Sequence, residues 1–115
     1  MSLHELNTFP GVTATPDSAT HNFVFNHTML RVKDITKSLD FYTRVLGFSL
    51  VEKRDFPEAE FSLYFLALVD KAQIPADAAA RTEWMKSIPV ILELTHSHGT
   101  ENDADFAYHN GNTDP

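Results

Sequence analysis

Two stretches of this 115-residue chain carry side chains that chemistry can use and that a packed strand would not select. The first is His27-Thr28-Met29-Leu30-Arg31-Val32, which reads as a short strand with an imidazole at its start and a guanidinium near its end. The second is Val90-Ile91-Leu92-Glu93-Leu94, an apolar run with a carboxylate inside it. A lone carboxylate in apolar surroundings is costly unless it is paired or bound to a cation. Imidazole nitrogen and carboxylate oxygen are both ligands for divalent metals. If His27 and Glu93 meet, the pair can hold such an ion. Side chains alternate along a strand, so His27, Met29 and Arg31 share one face, with His27 and Arg31 roughly 13 Å apart at ~3.3 Å per residue. Arg31 can then meet an anion beyond the metal.

The elements that must position these residues follow from periodicity. Residues 1–22 contain Pro10, Gly11 and Pro16 without regular spacing and read as an N-terminal arm that wraps the domain or hangs free. Phe23 to Val32 is the first strand. Asp34 offers a helix N-cap, Ile35, Leu39, Tyr42 and Leu46 follow at helical spacing, and Gly47 closes a helix over 34–46. Strands are expected over 48–53, 61–69 and 90–96, with Phe56 to Glu60 as a connection. Between the third and fourth, Pro75 is expected to open a helix over 76–87. Residues 99–115 are rich in Gly, Asn and Asp and read as an extended loop. The fold class is therefore α+β: a βαβββ module over 23–98 with one inserted helix and long terminal arms. One helix covers one sheet face, leaving the face with His27, Arg31 and Glu93 in need of a second layer. A one-residue slip in register would turn all three to the helix side.

Composition narrows the partners. The apolar fraction is 43% and the charged fraction 22%, as in an ordinary globular domain. Net charge is −7, from 9 basic and 16 acidic residues, which argues against a nucleic-acid or anionic-membrane partner. There is no cysteine, so thiolate metal sites, disulfides and thiol nucleophiles are excluded. No apolar run reaches the ~20 residues of a membrane span, and residues 1–5 lack the pattern of a secretory signal, so a cytoplasmic location is expected.

The segments HTMLRVKDITKSLDFYTRVLGFSLVEKRDFPEAEFSLYFLALVDKAQIP, LELTH, GTEND and YHNGNTDP resemble, in order, the glyoxalase I (lactoylglutathione lyase) family of the vicinal-oxygen-chelate superfamily. The likeness runs from about Asn26 to Pro115, and the insert around Asp70 to Pro89 is similar to that of the longer, zinc-type members. The resemblance implies two βαβββ modules that pair around a divalent metal, zinc first and nickel as the alternative. It implies His27 and Glu93 as this module's ligands, with Glu93 also placed at the catalytic centre. Arg31 matches a glutathione-carboxylate contact. Phe56, Leu63 and Phe65 match the apolar pocket beside the metal, and Ser97 stands where many members have an Asn that contacts glutathione. The substrate so implied is the hemithioacetal of glutathione and methylglyoxal, isomerised to S-lactoylglutathione. Asn110-Gly111-Asn112-Thr113-Asp114-Pro115 matches the loop that leads into the second module, so a truncated chain is expected, with half a metal site and without the main catalytic base.

Blander readings accompany each residue. His27 or Arg31 can be an ordinary surface residue, Glu93 can face solvent if the fourth strand is an edge, and the phenylalanines can be core. His96, His98 and His109 are expected to be solvated loop residues. Two copies of the chain could also pair as a homodimer around one metal, or the chain could bind a glutathione conjugate without turning it over.

Overall fold

The computed structural model describes residues 1–108 and Asn112. Its centre is one four-stranded sheet in the order β1-β4-β3-β2. The strands are β1 (His27–Arg31), β2 (Ser49–Phe56), β3 (Phe61–Ala67) and β4 (Ile91–Ser97). β1 runs parallel to β4, whereas β3 is antiparallel to both β4 and β2. β4 is thus interior, and the expectation of a possible edge position for Glu93 is removed.

Among the described residues three α-helices accompany the sheet. α1 (Leu3–Asn7) is capped by Ser2 and lies in the N-terminal arm, where residues 1–25 are all exposed. α2 (Ile35–Asp40) is capped by Asp34, whose carboxylate accepts from the Lys37 amide, as the sequence suggests. The expected helix to residue 46 is interrupted: Phe41–Val45 widens into a π-helical turn, with the Leu46 amide reaching the Phe41 carbonyl at 3.2 Å. Ile35, Leu39 and Tyr42 stay on the core stripe against Val32, Leu66 and Leu94. The widened turn rotates Leu46 off that stripe, and it is 46% exposed. Gly47 then closes the unit at φ +76°, a conformation it adopts without a Cβ penalty.

α3 (Ala78–Ser87) corrects two expectations. Its N-cap is Asp77, accepting from the Ala80 amide at 2.9 Å, so Pro75 precedes the helix rather than opening it. It also packs on the sheet face opposite α2, where Met85 joins Val51, Phe65, Ala67 and Ile91 in a second buried cluster. The face carrying His27 and Glu93 therefore has a partial roof within this chain. The first strand is shorter than expected because Phe23 to Asn26 precede the ladder. Even so, the Phe25 and Asn26 carbonyls accept from the Val90 and Ile91 amides at 2.9 and 2.7 Å.

Candidate metal and ligand site

The registers fix which side chains share a face. Met29, Glu93, Phe65 and Glu52 form one cross-sheet row, and Arg31, Thr95, Leu63 and Arg54 the next. His27 pairs with Ile91 on the other side of the Glu93 row. Diagonal neighbours in a sheet are ~7–8 Å apart at their backbones, within reach of long side chains. Here His27 and Glu93 lean together until Nε2 and Oε1 are 3.8 Å apart. Glu93 is mostly buried, at 16% side-chain exposure, and His27 is half exposed, at 48%.

Asn26 orients the imidazole. Its amide nitrogen donates to the carbonyls of Met85 and Ile88, both at 2.9 Å, at the C-terminal end of α3. With both protons spent there, Oδ1 faces His27 Nδ1 at 2.9 Å as an acceptor. Nδ1 must then carry the proton, leaving the Nε2 lone pair directed toward Glu93. This is the arrangement by which a neighbouring acceptor fixes the tautomer of a metal-ligating histidine. The residue beside a candidate ligand is the place to look for such an acceptor, but its tie to α3 is a tertiary contact across about 60 residues of chain.

The donor chemistry fits a divalent ion as half of a set. Two ligands at ~2.1 Å on one tetrahedral zinc stand about 3.4 Å apart, so 3.8 Å needs only a small adjustment. Among the described residues no cluster of three or more His, Asp or Glu side chains gathers for a metal.

A cavity of about 300 Å³ opens beside the pair, lined by Leu63, Phe65, Met85 and Ile91 on its apolar side and by Arg54 and Lys86 on its basic side. Leu63 and Phe65 thus lie with His27 and Glu93. Phe56 and Ser97 do not: Phe56 pairs with Phe61, and Phe61 with Ser97, two rows beyond Glu93 or ~13 Å along the strands. Phe56 stacks on Phe61 at 4.8 Å and borders a separate cleft with Pro57 and Glu58. Arg31 shares the His27 face but lines another cleft, of about 450 Å³, around the β1 edge with Leu30, Phe41 and Tyr108.

Of the histidines near the end of β4, His96 departs from expectation, whereas His98 is exposed beyond the strand. His96 is 6% exposed, on the α2 side of the sheet, and donates from Nε2 to Glu101 at 2.8 Å. The Ser62 hydroxyl donates to Asp55 at 2.5 Å and lies 2.8 Å from His98 Nε2, which therefore donates to it. The Ser62 hydroxyl first, and the Lys53 ammonium second, hold the Asp55 carboxyl below its usual range. Glu101 is also held low, first by its own backbone amide and then by His96. The Ser62 hydroxyl hydrogen is committed to the carboxylate, so this trio is a clip joining β2, β3 and the turn after β4, not an activated nucleophile. His109 lies outside the described residues.

Known proteins share this chain's sequence and fold. Residues 24–112 match the Glyoxalase/Bleomycin resistance protein/Dioxygenase superfamily. The whole chain is 79% identical to a lactoylglutathione lyase of Pseudomonas putida, of which it covers 66%. It is 51% identical over 106 residues to the lactoylglutathione lyase of Pseudomonas aeruginosa, spanning 92% of this chain and 60% of that protein. Among solved structures, the trypanothione-dependent glyoxalase I of Leishmania major superposes with a TM-score of 0.52 at 27% identity, over 76% of this chain and 50% of that one. The chain spans just under two thirds of the length of the first two relatives.

Proposed function

Because the chain belongs to the Glyoxalase/Bleomycin resistance protein/Dioxygenase superfamily, we propose that it is the metal-binding half of a lactoylglutathione lyase. The reading is that it isomerises the glutathione–methylglyoxal hemithioacetal to S-lactoylglutathione in the cytoplasm, where glutathione is abundant. The convergence of His27 Nε2 and Glu93 Oε1 at 3.8 Å on the α3 side of the sheet carries this reading. Zinc is the favoured metal and nickel the alternative, since mixed nitrogen and oxygen ligation suits both.

His27 and Glu93 would hold the ion. Bound there, it would act as a Lewis acid on the substrate oxygens and stabilise the charge that develops when the carbon-bound proton is lost. On this reading the Glu93 carboxylate also takes that proton from the sulfur-bearing carbon and returns it to the neighbouring carbon. Leu63, Phe65, Met85 and Ile91 exclude water from the methyl-bearing end. Arg31, farther along the face, receives a glutathione carboxylate through charge-assisted hydrogen bonds. In this proposal Phe56 and Ser97 act at the distal glutathione end, because their row lies away from the cavity.

The remaining ligands and a further base are proposed to come from a second βαβββ unit, in the simplest case a second copy of the chain in a homodimer. Support comes from the edge position of β1 and its exposed Met29 and Leu30. Two-fold pairing across that edge would bring two copies of His27 and Glu93 to one ion. The test combines solution mass, zinc content and thioester formation from methylglyoxal and glutathione. One zinc per two chains with turnover supports the reading. Absence of thioester from zinc- or nickel-loaded protein rejects it.

A second reading is favoured by the gathering of only two such ligands among the described residues. On it, the chain binds a glutathione conjugate without turnover. Calorimetry with S-butylglutathione separates the two: metal-independent binding without thioester formation supports the binding module.

A further inference from the structure

We propose that Arg54 is a second carboxylate-binding residue of the cavity, placed across the sheet from Arg31. This inference rests on the cavity being the ligand site proposed above. Arg54 lines that cavity together with His27 and Glu93. Its guanidinium lies over the Phe65 ring, 5.5 Å from the centroid, which holds the flat cation against the cavity wall and leaves its edges as hydrogen-bond donors.

The carboxylates around it are committed elsewhere. Glu52, two residues away on the same strand, pairs with Arg81 of α3 at 3.6 Å. Asp55 is held by Ser62 and Lys53. Glu83 pairs with Lys86 at 2.9 Å. Among the described residues no carboxylate pairs with Arg54, in a chain whose acidic residues outnumber its basic ones by 16 to 9. An exposed cation that neighbouring acids leave unneutralised, fixed over an aromatic ring at the rim of a cavity, is built to receive an anion.

The registers give the ligand's dimensions. Arg31, Thr95, Leu63 and Arg54 form one row, so the two arginines stand three strand spacings apart, ~14 Å at the backbone. Glu93 lies in the adjacent row between them. A ligand with acidic groups at both ends and metal-chelating oxygens in the middle matches this spacing. The carboxylate at Arg54 has two sources: the glutathione part, or an acid carried by the dicarbonyl-derived part, as in a 2-oxoaldehyde with a terminal carboxylate. The isomerisation is the same in either case.

Calorimetry on the zinc-loaded full chain tests this with three probes: S-butylglutathione, its glycine-amide form, and S-(3-carboxypropyl)glutathione. Arg54→Met removes the charge from an exposed position while keeping an apolar stem. Arg54→Lys keeps the charge and loses the fork. A selective loss of about tenfold or more for carboxypropyl relative to butyl in Arg54→Met, partly restored in Arg54→Lys, assigns the dicarbonyl-side acid. A similar loss for S-butylglutathione relative to its amide assigns the glycine carboxylate of glutathione. An equal loss for all three probes that Arg54→Lys restores assigns the glutamyl carboxylate; an equal loss that it does not restore, or no loss, overturns the proposal. Differential binding without methylglyoxal turnover would leave Arg54 standing while rejecting the lyase reading.

Discussion

His27 and Glu93 belong to neighbouring parallel strands, out of step by two residues, yet Nε2 and Oε1 close to 3.8 Å. That approach sets the first expected outcome. Removing either donor leaves the other alone at the ion, so Glu93→Gln and His27→Ala should each weaken zinc binding on the order of 100-fold or more. Because His27 is half exposed, His27→Ala should leave thermal stability nearly unchanged in metal-free protein. Zinc titration with a competing chelator, alongside melting curves, checks both. Undiminished affinity in either variant would place the metal elsewhere.

Asn26 gives a second prediction because its two donor bonds to the end of α3 force its oxygen toward His27. Asn26→Ala should shift the metal-free His27 ring away from the Nδ1–H tautomer and weaken zinc binding by about 10- to 100-fold. Nitrogen-15 chemical shifts of the imidazole read the tautomer directly. Asn26→Asp keeps an acceptor for Nδ1 while losing the bonds to α3, so it should preserve the tautomer and still loosen the helix, measured as faster amide exchange over residues 78–87. A variant that loosens α3 without moving the imidazole signals in Asn26→Ala would show that the residue serves packing alone.

Much of this site was legible in the chain because strand alternation is a strict rule. Given strands at 27–31 and 91–97, His27 and Arg31 had to share a face, and so did Ile91, Glu93 and Thr95. The helix caps at Asp34 and Gly47 were legible for the same reason: each is a local backbone requirement with few residue solutions. Arg54 was not legible. The register of β2 against β3 shifts between Leu50 and Glu52, and such an irregularity reverses which residues face the cavity without leaving a mark in the pattern. The roof made by α3 was hidden as well. Its apolar residues, Trp84, Met85 and Ile88, are too few to announce a buried face before Val51, Phe65 and Ile91 are placed beneath it. His96 falls inside the expected strand, but its burial was hidden because its partner Glu101 comes from the turn after β4.

A third prediction concerns acid. Asp55 is held below its ordinary value of 3.8 first by Ser62 and then by Lys53. A carboxyl with a depressed folded-state pKa contributes stability that is present above the unfolded value and lost as pH falls through the folded one. The clip between β2, β3 and the turn after β4 should therefore be intact above about pH 5 and fail progressively below pH 3.8. Ser62→Ala should lower the melting temperature by about 4 °C at neutral pH, with the gap to the parent narrowing in that acid window. Melting curves from pH 7 downward test it, and a constant gap across the range would remove Asp55 from the explanation.

Val90 supports the last prediction. It enters β4 with φ of +61°, a left-handed conformation that a β-branched side chain adopts only at a cost of about 1–2 kcal/mol. The turn is required: the Val90 amide must donate to the Phe25 carbonyl at 2.9 Å so that Ile91 can begin its parallel pairing with His27. The side chain itself contributes little, being 63% exposed. Val90→Gly should relieve the strain at the price of a more flexible unfolded chain, for a net gain of roughly 1 kcal/mol, or about 4 °C in melting temperature. The same change should keep zinc affinity within about twofold, because the backbone path to His27 and Glu93 is unaltered; tenfold would be ~1.4 kcal/mol. Val90→Ala, which removes the β-branch but keeps the Cβ, should recover only part of that gain. A melting temperature lowered by Val90→Gly would mean that the valine side chain holds the entry to β4 through contacts stronger than its exposure suggests.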